Sequence, residues 1–282
     1  MINWSIPSVE GRVIVGTTHE PTTGPERGQV IIAHGFKGYK EYGFFPWLAQ
    51  AMANAGFAAH RFNFSCSGMG HGHGDFDVVA FEQDTWNRQV EDLLSVLKEA
   101  RAGSLPGRGG PTVLMGHSRG GVASLLAAGR HAGSDELDAL RGIMTLASPD
   151  TCLSMADDVQ STLCVEGTIP SPSSRTSQVL RVGRAFLEEQ RADPPAHDLL
   201  LQVSRIKLPT CIVHGTADDA VDVQAATSIA NATTSQCEVH HIEGSNHVFN
   251  TSNPFPADGV PSEALGELGS IASSFASELS LG

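Results

Sequence analysis

Short apolar runs alternate along the chain with longer segments whose apolar residues recur at steps of three and four. Each run has the length of a buried strand, and the runs cover residues 28–33, 57–64, 112–115, 142–147, 209–214 and 238–242. The periodic segments predict helices at residues 44–56, 82–101, 122–130 and 223–232 and from residue 262 onward. Strands separated by helices need right-handed crossovers, so the pattern predicts an α/β fold with a mostly parallel central sheet and helices on both faces. A weaker strand signal near residues 12–18 predicts an antiparallel edge for that sheet.

Residues 150–205 interrupt this alternation. They contain a Pro- and Ser-rich stretch at 169–174 and an amphipathic pattern at 179–190, with no convincing strand. We interpret them as an insertion that forms a small cap over the sheet. The predicted organisation is therefore a core in two parts, residues 1–149 and 206–282, with a cap at 150–205.

Composition narrows the class of protein. Hydrophobic residues make up 40% of the 282, enough for a buried core, and the net charge is −13, from 18 Lys and Arg against 31 Asp and Glu. Such an acidic chain argues against nucleic-acid and anionic-membrane partners. The N-terminus has no basic, apolar leader pattern, and no stretch reaches the length of a membrane span. We expect a cytoplasmic protein, and the sequence does not indicate its oligomeric state.

The five cysteines are odd in number and include no C-x-x-C pair. We expect reduced thiols, with one disulfide between Cys152 and Cys164 as an open alternative.

The sequence Gly116-His117-Ser118-Arg119-Gly120 lies between an apolar run and a helical pattern. It fits G-x-S-x-G, in which a serine lies on a sharp strand-to-helix turn and the residues two before and two after it approach each other closely. Only very small residues fit at those two flanking positions, and both are glycine here. Ser118 is therefore the candidate nucleophile, and His117 beside it is a candidate substrate contact.

A serine nucleophile needs a base, and the base needs an orienting carboxylate. His247 follows the last predicted strand in a loop, whereas His240 and His241 lie inside that strand and are not free to turn toward Ser118. Asp218, in a turn after a buried strand, is the preferred carboxylate. Asp219 and Asp150 remain alternatives.

The developing negative charge on a substrate carbonyl oxygen needs donors. One is expected from the backbone N–H of Arg119, which follows the nucleophile. The other is expected from the loop after the first buried strand, where Phe36 follows Gly35. These parts predict acyl transfer through Ser118 with neither metal nor cofactor.

Five segments resemble the α/β-hydrolase superfamily: H-G-F-K-G at 34–38, R-F-N-F-S at 61–65, G-H-S-R-G-G at 116–121, H-G-T-A-D at 214–218 and G-S-N-H-V-F at 244–249. More narrowly they resemble bacterial serine esterases and dienelactone-hydrolase-like or S9-like hydrolases with a small cap, a group that includes cinnamoyl and feruloyl esterases. The resemblance implies Ser118, His247 and Asp218 as a catalytic triad and the N–H groups of Phe36 and Arg119 as an oxyanion hole. It implies hydrolysis of small-molecule carboxylic esters with small or aromatic acyl groups. Dienelactone hydrolases proper use a cysteine nucleophile, so Ser118 argues against that activity.

Several alternatives stay open. The same triad serves peptidases and amidases, and the same fold serves non-catalytic binding proteins. Arg175, in the insertion, is either a substrate contact or a structural anchor, and apolar residues of the insertion are expected to line an acyl pocket: Met155, Leu163, Val165 and Ile169. The Gly- and His-rich loop at 70–74 has two histidines two residues apart, but no further metal ligand lies at a suitable spacing, so we predict no metal site.

Overall fold

The structure, a computed structural model, describes residues 1–8, 10–70, 76–173 and 178–280. Within these residues the main sheet has eight strands in the order β1-β2-β4-β3-β5-β6-β9-β10. The pairs β1·β2 and β2·β4 are antiparallel, and every other pair in this sheet is parallel. The strands are β1 Ile2–Pro7, β2 Val13–His19, β3 Gly28–Ala33, β4 Phe57–Asn63, β5 Thr112–His117, β6 Leu140–Leu146, β9 Thr210–Gly215 and β10 Cys237–Ile242. The predicted parallel sheet with an antiparallel edge is confirmed, and β1 is an additional edge strand.

Helices cover both faces, which explains why β3, β4, β5 and β9 are buried along their whole length. The helices are α1 Phe45–Asn54, α2 Val78–Glu82, α3 Trp86–Arg101, α4 Arg119–Arg130, α5 Asp157–Glu166, α6 Ala185–Ala192, α7 Pro194–His197, α8 Leu199–Arg205, α9 Gln224–Ala232 and α10 Glu263–Ser280. One apolar core lies between the sheet and α1 with α10. The other lies between the sheet and α3, α4, α8 and α9.

The predicted helix at 82–101 begins too early. The chain forms the short helix α2, turns, and starts α3 at Trp86, where the Thr85 hydroxyl accepts a hydrogen bond from the Arg88 N–H at 3.4 Å. A Thr side chain that accepts from the first helical turn is a common start signal, and the apolar periodicity alone does not show it.

The segment 150–205 contains strands, so the predicted absence of strands there is wrong. Strands β7 Thr168–Ser173 and β8 Gln178–Gly183 form a separate antiparallel pair. The helix predicted at 179–190 is half wrong for the same reason, because its first residues belong to β8 and α6 begins at Ala185. Pro170 and Pro172 lie in β7, which has only one partner strand; proline is tolerated in such an edge strand because one side of it needs no ladder hydrogen bonds.

All five cysteines are free, so the alternative of a Cys152–Cys164 disulfide is wrong for this structure. Among the described helices, none is long and apolar enough to cross a membrane.

Candidate active site

Ser118 lies at the sharp turn between β5 and α4. Its backbone has φ 53° and ψ −122°, a conformation that side chains rarely adopt. A Cβ added to Gly116 would lie 2.3 Å from the Gly120 carbonyl oxygen, and one added to Gly120 would lie 2.4 Å from the Ala33 carbonyl oxygen. Both contacts are too short for any side chain, so the turn needs glycine at these positions. The expected close approach is present.

The loop after β3 runs beside this turn. A Cβ added to Gly35 would lie 3.0 Å from the Ser118 Cβ, which shows how closely the loop backbone passes the serine. The next residue, Phe36, lines the same cavity as Ser118 and Arg119. The two residues chosen for their backbone N–H groups therefore flank one cavity together with the serine.

The turn after β9 and the loop after β10 bring an acid and a histidine together. His247 Nδ1 lies 2.8 Å from Asp218 Oδ2, while Asp218 Oδ1 accepts hydrogen bonds from the Ala220 and Val221 N–H groups at 2.9 and 3.0 Å. The Asp218 side chain is fully buried, and the His247 side chain is 17% exposed. His247 and Ser118 line the same cavity. Asp219 is exposed, and Asp150 forms part of the cavity wall.

The charge state of Asp218 follows from its contacts. Burial by itself raises the pKa of Asp218, but hydrogen bonds from His214, His247 and the Val221 N–H outweigh it and hold that pKa well below the usual range. The carboxylate is therefore ionised over the whole range in which a histidine can act as a base.

The cavity has a volume of about 730 Å³, and residues of the segment 150–205 form part of its wall. Its apolar lining residues include Phe36, Trp86, Met155, Val182 and Phe186, and its acidic lining residues are Asp150 and Asp222. Of the four apolar residues expected to line an acyl pocket, Met155 lines this cavity, and Leu163, Val165 and Ile169 do not. Val165 is 79% exposed on α5. A larger groove of about 820 Å³ runs along α3 and the end of α4 and includes none of the predicted site residues.

The Arg119 side chain is packed among aromatic rings. Its Cζ lies 4.4 Å from the Trp86 ring, 4.7 Å from the Phe186 ring and 5.4 Å from the Phe36 ring. Its Nη2 lies 3.1 Å from Asp84 Oδ2. Burial raises the pKa of Asp84, and the charge of Arg119 offsets part of that rise. The sequence analysis considered only the backbone of Arg119. The partners of its side chain come from three distant segments, so no local signal could have predicted them.

His117 does not lie where a substrate contact would. It is 4% exposed, its Nε2 lies 2.8 Å from the His247 carbonyl oxygen, and its ring packs edge-on against Phe44 at 5.2 Å between centroids. His117 contacts the backbone of the His247 loop and does not line the cavity, and this burial argues against the expected substrate contact. Arg175 and residues 71–74 of the Gly- and His-rich loop lie outside the described residues.

Among the described residues, one cluster has the donor types of a metal site. Side-chain atoms of Cys211, Glu238 and His240 lie within 4.8 Å of one another on β9 and β10. The Cys211 thiol is buried, and that burial together with the charge of Glu238 raises its pKa to about 12, so it stays protonated. None of the three lines the cavity with Ser118.

Comparison with solved structures shows the fold. The chain aligns with Est1E from Butyrivibrio proteoclasticus, in a structure with bound ferulic acid, at a TM-score of 0.74 and 19% identity over 99% of this chain and 100% of that one. The chain has the α/β-hydrolase fold. The dienelactone hydrolase from Anabaena variabilis has the same fold, at a TM-score of 0.58 and 14% identity over 97% of this chain and 95% of that one.

Other comparisons are consistent with this fold. The monoacylglycerol lipase from Paleococcus ferrophilus aligns with this α/β-hydrolase chain at a TM-score of 0.69 and 15% identity, over 94% of this chain and 99% of that one. The family model for serine aminopeptidase, S33, matches residues 24–163, just under half of the chain. No curated protein sequence matches the chain significantly.

Proposed function

We propose that this α/β hydrolase is a serine esterase that cleaves carboxylic esters with a Ser118–His247–Asp218 triad. The observation that carries the proposal is the 2.8 Å contact between His247 Nδ1 and Asp218 Oδ2. His247 lines the same cavity as Ser118. The Nδ1–H donates to the carboxylate, so the free Nε2 is the atom that takes a proton from the serine hydroxyl. No metal or cofactor is needed for this chemistry.

The reaction proceeds in two halves. Ser118 Oγ attacks the ester carbonyl carbon as its proton passes to His247, and the oxygen of the resulting tetrahedral intermediate accepts hydrogen bonds from the Phe36 and Arg119 N–H groups. His247 then gives the proton to the leaving alcohol, and the acyl group remains on Ser118. Water, deprotonated by His247, then attacks the acyl carbon of the acyl-enzyme. The bond from that carbon to Ser118 Oγ breaks, His247 returns its proton to Oγ, and the acid is released. Ionised Asp218 stabilises the imidazolium in both halves.

Small or aromatic acyl groups are the proposed substrates. The cavity wall beside Ser118 is built from Phe36, Trp86 and Phe186, which offer flat apolar surface to an acyl chain or ring. The Est1E structure contains bound ferulic acid, which is an aromatic acid, and the similarity in fold agrees with an aromatic acyl site.

A peptidase acting on free N-termini is the second candidate, favoured by the serine aminopeptidase family model. Asp150 and Asp222 in the cavity wall are carboxylates that can pair with a protonated amine. Comparing p-nitrophenyl butyrate with aminoacyl p-nitroanilides separates the two candidates, because only the peptidase turns over the second set.

The first test is hydrolysis of p-nitrophenyl butyrate by the wild-type protein and by Ser118→Ala. We expect the variant to lose about 10³-fold or more in kcat, the size typical of removing a triad nucleophile, with unchanged thermal unfolding. Ser124→Ala, which alters a buried serine in the same helix α4, is the matched control and should keep wild-type kcat. Equal rates in wild type and Ser118→Ala would refute the triad, and inactivity of the wild type on both substrate sets would favour a binding protein.

A further inference from the structure

A second histidine contacts the carboxylate of Asp218. His214, the penultimate residue of β9, has its Nε2 3.2 Å from Asp218 Oδ2 and 3.1 Å from the Val221 carbonyl oxygen. The same Oδ2 atom lies 2.8 Å from His247 Nδ1. One carboxylate oxygen therefore lies between two imidazole rings, one at the cavity and one behind it.

The proton on His214 can be assigned from its neighbours. Both groups near Nε2 are acceptors, so Nε2 carries the hydrogen and donates it. The other ring nitrogen, Nδ1, is buried and has no hydrogen-bond partner among the described residues, and the His214 side chain is 1% exposed. A second proton on Nδ1 would have no acceptor, and burying an unpartnered charged donor is costly. His214 is therefore the neutral tautomer with its hydrogen on Nε2.

We infer that His214 is a positioning residue that holds the Asp218 carboxylate in place for His247. It joins the end of β9 to both ends of the turn that carries the acid, at Asp218 and at the Val221 carbonyl. With the Ala220 and Val221 N–H groups on Oδ1 and the two ring nitrogens beside Oδ2, four donors surround the carboxylate and restrict its rotation. His214 does not line the cavity, so it acts on catalysis through the turn that carries Asp218 and Val221. This inference rests on the proposed function.

The effect of His214 on the reaction has a definite sign. A donor to Asp218 withdraws part of the negative charge that would otherwise face His247, so it weakens the attraction between the carboxylate and the imidazolium. Removing that donor strengthens the attraction and makes the protonated, inactive form of the base persist to higher pH. It also frees the carboxylate to rotate, which misaligns the base.

The experiment uses His214→Leu, which removes the donor at similar volume, and His214→Gln, whose side-chain amide keeps a donor at the position of Nε2. The control is His241→Leu, because His241 is the register partner of His214 on β10 and is exposed. The pH profiles of kcat and kcat/KM for p-nitrophenyl butyrate are measured, with active enzyme counted by labelling Ser118 with an organophosphonate. This count removes the contribution of unfolded protein.

We expect His214→Leu to lose about tenfold in kcat, a size consistent with a hydrogen bond to a charged group. The acid limb of its kcat/KM profile should move up by roughly half to one pH unit. His214→Gln should recover most of kcat and the wild-type limb, and His241→Leu should match wild type. The inference would be overturned if His214→Leu kept the wild-type kcat and the wild-type acid limb of the kcat/KM profile. It would also be overturned if His214→Gln lost as much kcat as His214→Leu and neither variant moved the acid limb.

Two further measurements keep the outcomes distinct. If His214→Leu does not fold, the nitrogen-15 spectrum of histidine-labelled wild type decides, with the His214 signals assigned by their loss in the Gln variant. A neutral ring protonated on Nε2 supports the inference, and one protonated on Nδ1 refutes it. Ser118→Ala and Asp218→Asn are assayed alongside: if both stay active, the proposed function fails, whereas if both are inactive and His214→Leu is normal, only this inference fails.

Discussion

Two regions of the chain surround the cavity, and they are built differently. The strand-end region consists of the loops that follow β3, β5, β9 and β10, and it holds its residues by close backbone contacts and by side-chain hydrogen bonds to the backbone. The second region lies within residues 150–205, the segment that we predicted to be an insertion, and we call it the inserted region. It has a small two-stranded sheet and short helices, of which α5 buries only Leu163 and α8 packs in the core. It meets the cavity through apolar side chains such as Met155, Val182 and Phe186.

On the proposed function, this difference separates the residues that carry out the reaction from those that select the substrate. Acyl transfer requires atoms held within a fraction of an ångström, which close backbone contacts at strand ends provide. Substrate choice requires a surface whose shape can change without disturbing those atoms, which side chains on an insertion provide. Changes in the strand-end region should therefore abolish turnover, and changes in the inserted region should alter preference.

The largest expected effect comes from Gly120→Ala in the strand-end region. The new methyl group would lie 2.4 Å from the Ala33 carbonyl oxygen and 2.6 Å from that of His34, so the turn or the loop after β3 must move. We expect kcat to fall by roughly 10³-fold, because loss of the nucleophile's alignment and of an oxyanion donor both contribute.

Gly266→Ala in α10 is the matched control. Its methyl group would meet nothing closer than the Pro261 Cγ at 4.0 Å, so kcat should be unchanged and stability slightly higher, as expected for alanine in a helix. Normal turnover by Gly120→Ala would mean that the strand-end region tolerates displacement, and the contrast between the two regions would fail.

Phe186→Ala sharpens the comparison from the other side. Phe186 is 5% exposed, lies 5.8 Å between centroids from Trp86 and packs on the Arg119 guanidinium. We expect the free energy of unfolding to fall by roughly 3 kcal/mol, since a buried ring is replaced by a cavity. Turnover of p-nitrophenyl acetate should persist, while preference between short and bulky acyl groups shifts about tenfold toward the bulky group.

Val165→Ala, in the same inserted region but 79% exposed, should change neither stability nor preference. Loss of kcat on all esters in folded Phe186→Ala would show that the inserted region takes part in the reaction itself.

The smallest effect concerns acid stability, which we assign to the sheet core rather than to the inserted region. His60, buried in β4 between Thr18 and Gln29, has a pKa lowered by burial to about 4. Between that value and its ordinary pKa of 6.5 the unfolded chain binds a proton that the folded chain does not, so stability falls as pH falls through this interval. His60 alone accounts for about 2 kcal/mol between pH 7 and pH 5.

His60→Gln keeps hydrogen-bonding groups but cannot titrate, so its unfolding free energy should fall less steeply below pH 6.5. Urea unfolding at pH 7 and pH 5 measures the slope. His241→Leu is the control, and an unchanged slope in His60→Gln would show that another group is responsible.

Local pattern predicted much of the fold and the members of the candidate site. The runs at 28–33 and 112–115 became β3 and most of β5, because a short apolar run between glycine-rich turns has few other ways to be buried. Local pattern failed at β7 and β8. The apolar periodicity at 179–190 predicted a helix, but the first part of that segment pairs with β7 and forms a strand. Strand pairing depends on a distant partner, which a sequence window does not contain.

By itself, the sequence determined the alternation of strands and helices, the glycine-flanked serine at 118 and the late loop histidine at 247. Each depends on residues adjacent in the chain, through side-chain periodicity or the space a turn allows. Only the tertiary structure decided that Asp218, not Asp219 or Asp150, meets His247, that His214 lies behind it, and that Asp84, Trp86 and Phe186 enclose Arg119. Those contacts join segments that are far apart in sequence, and they exist only once the parallel sheet has brought its strand ends to one edge.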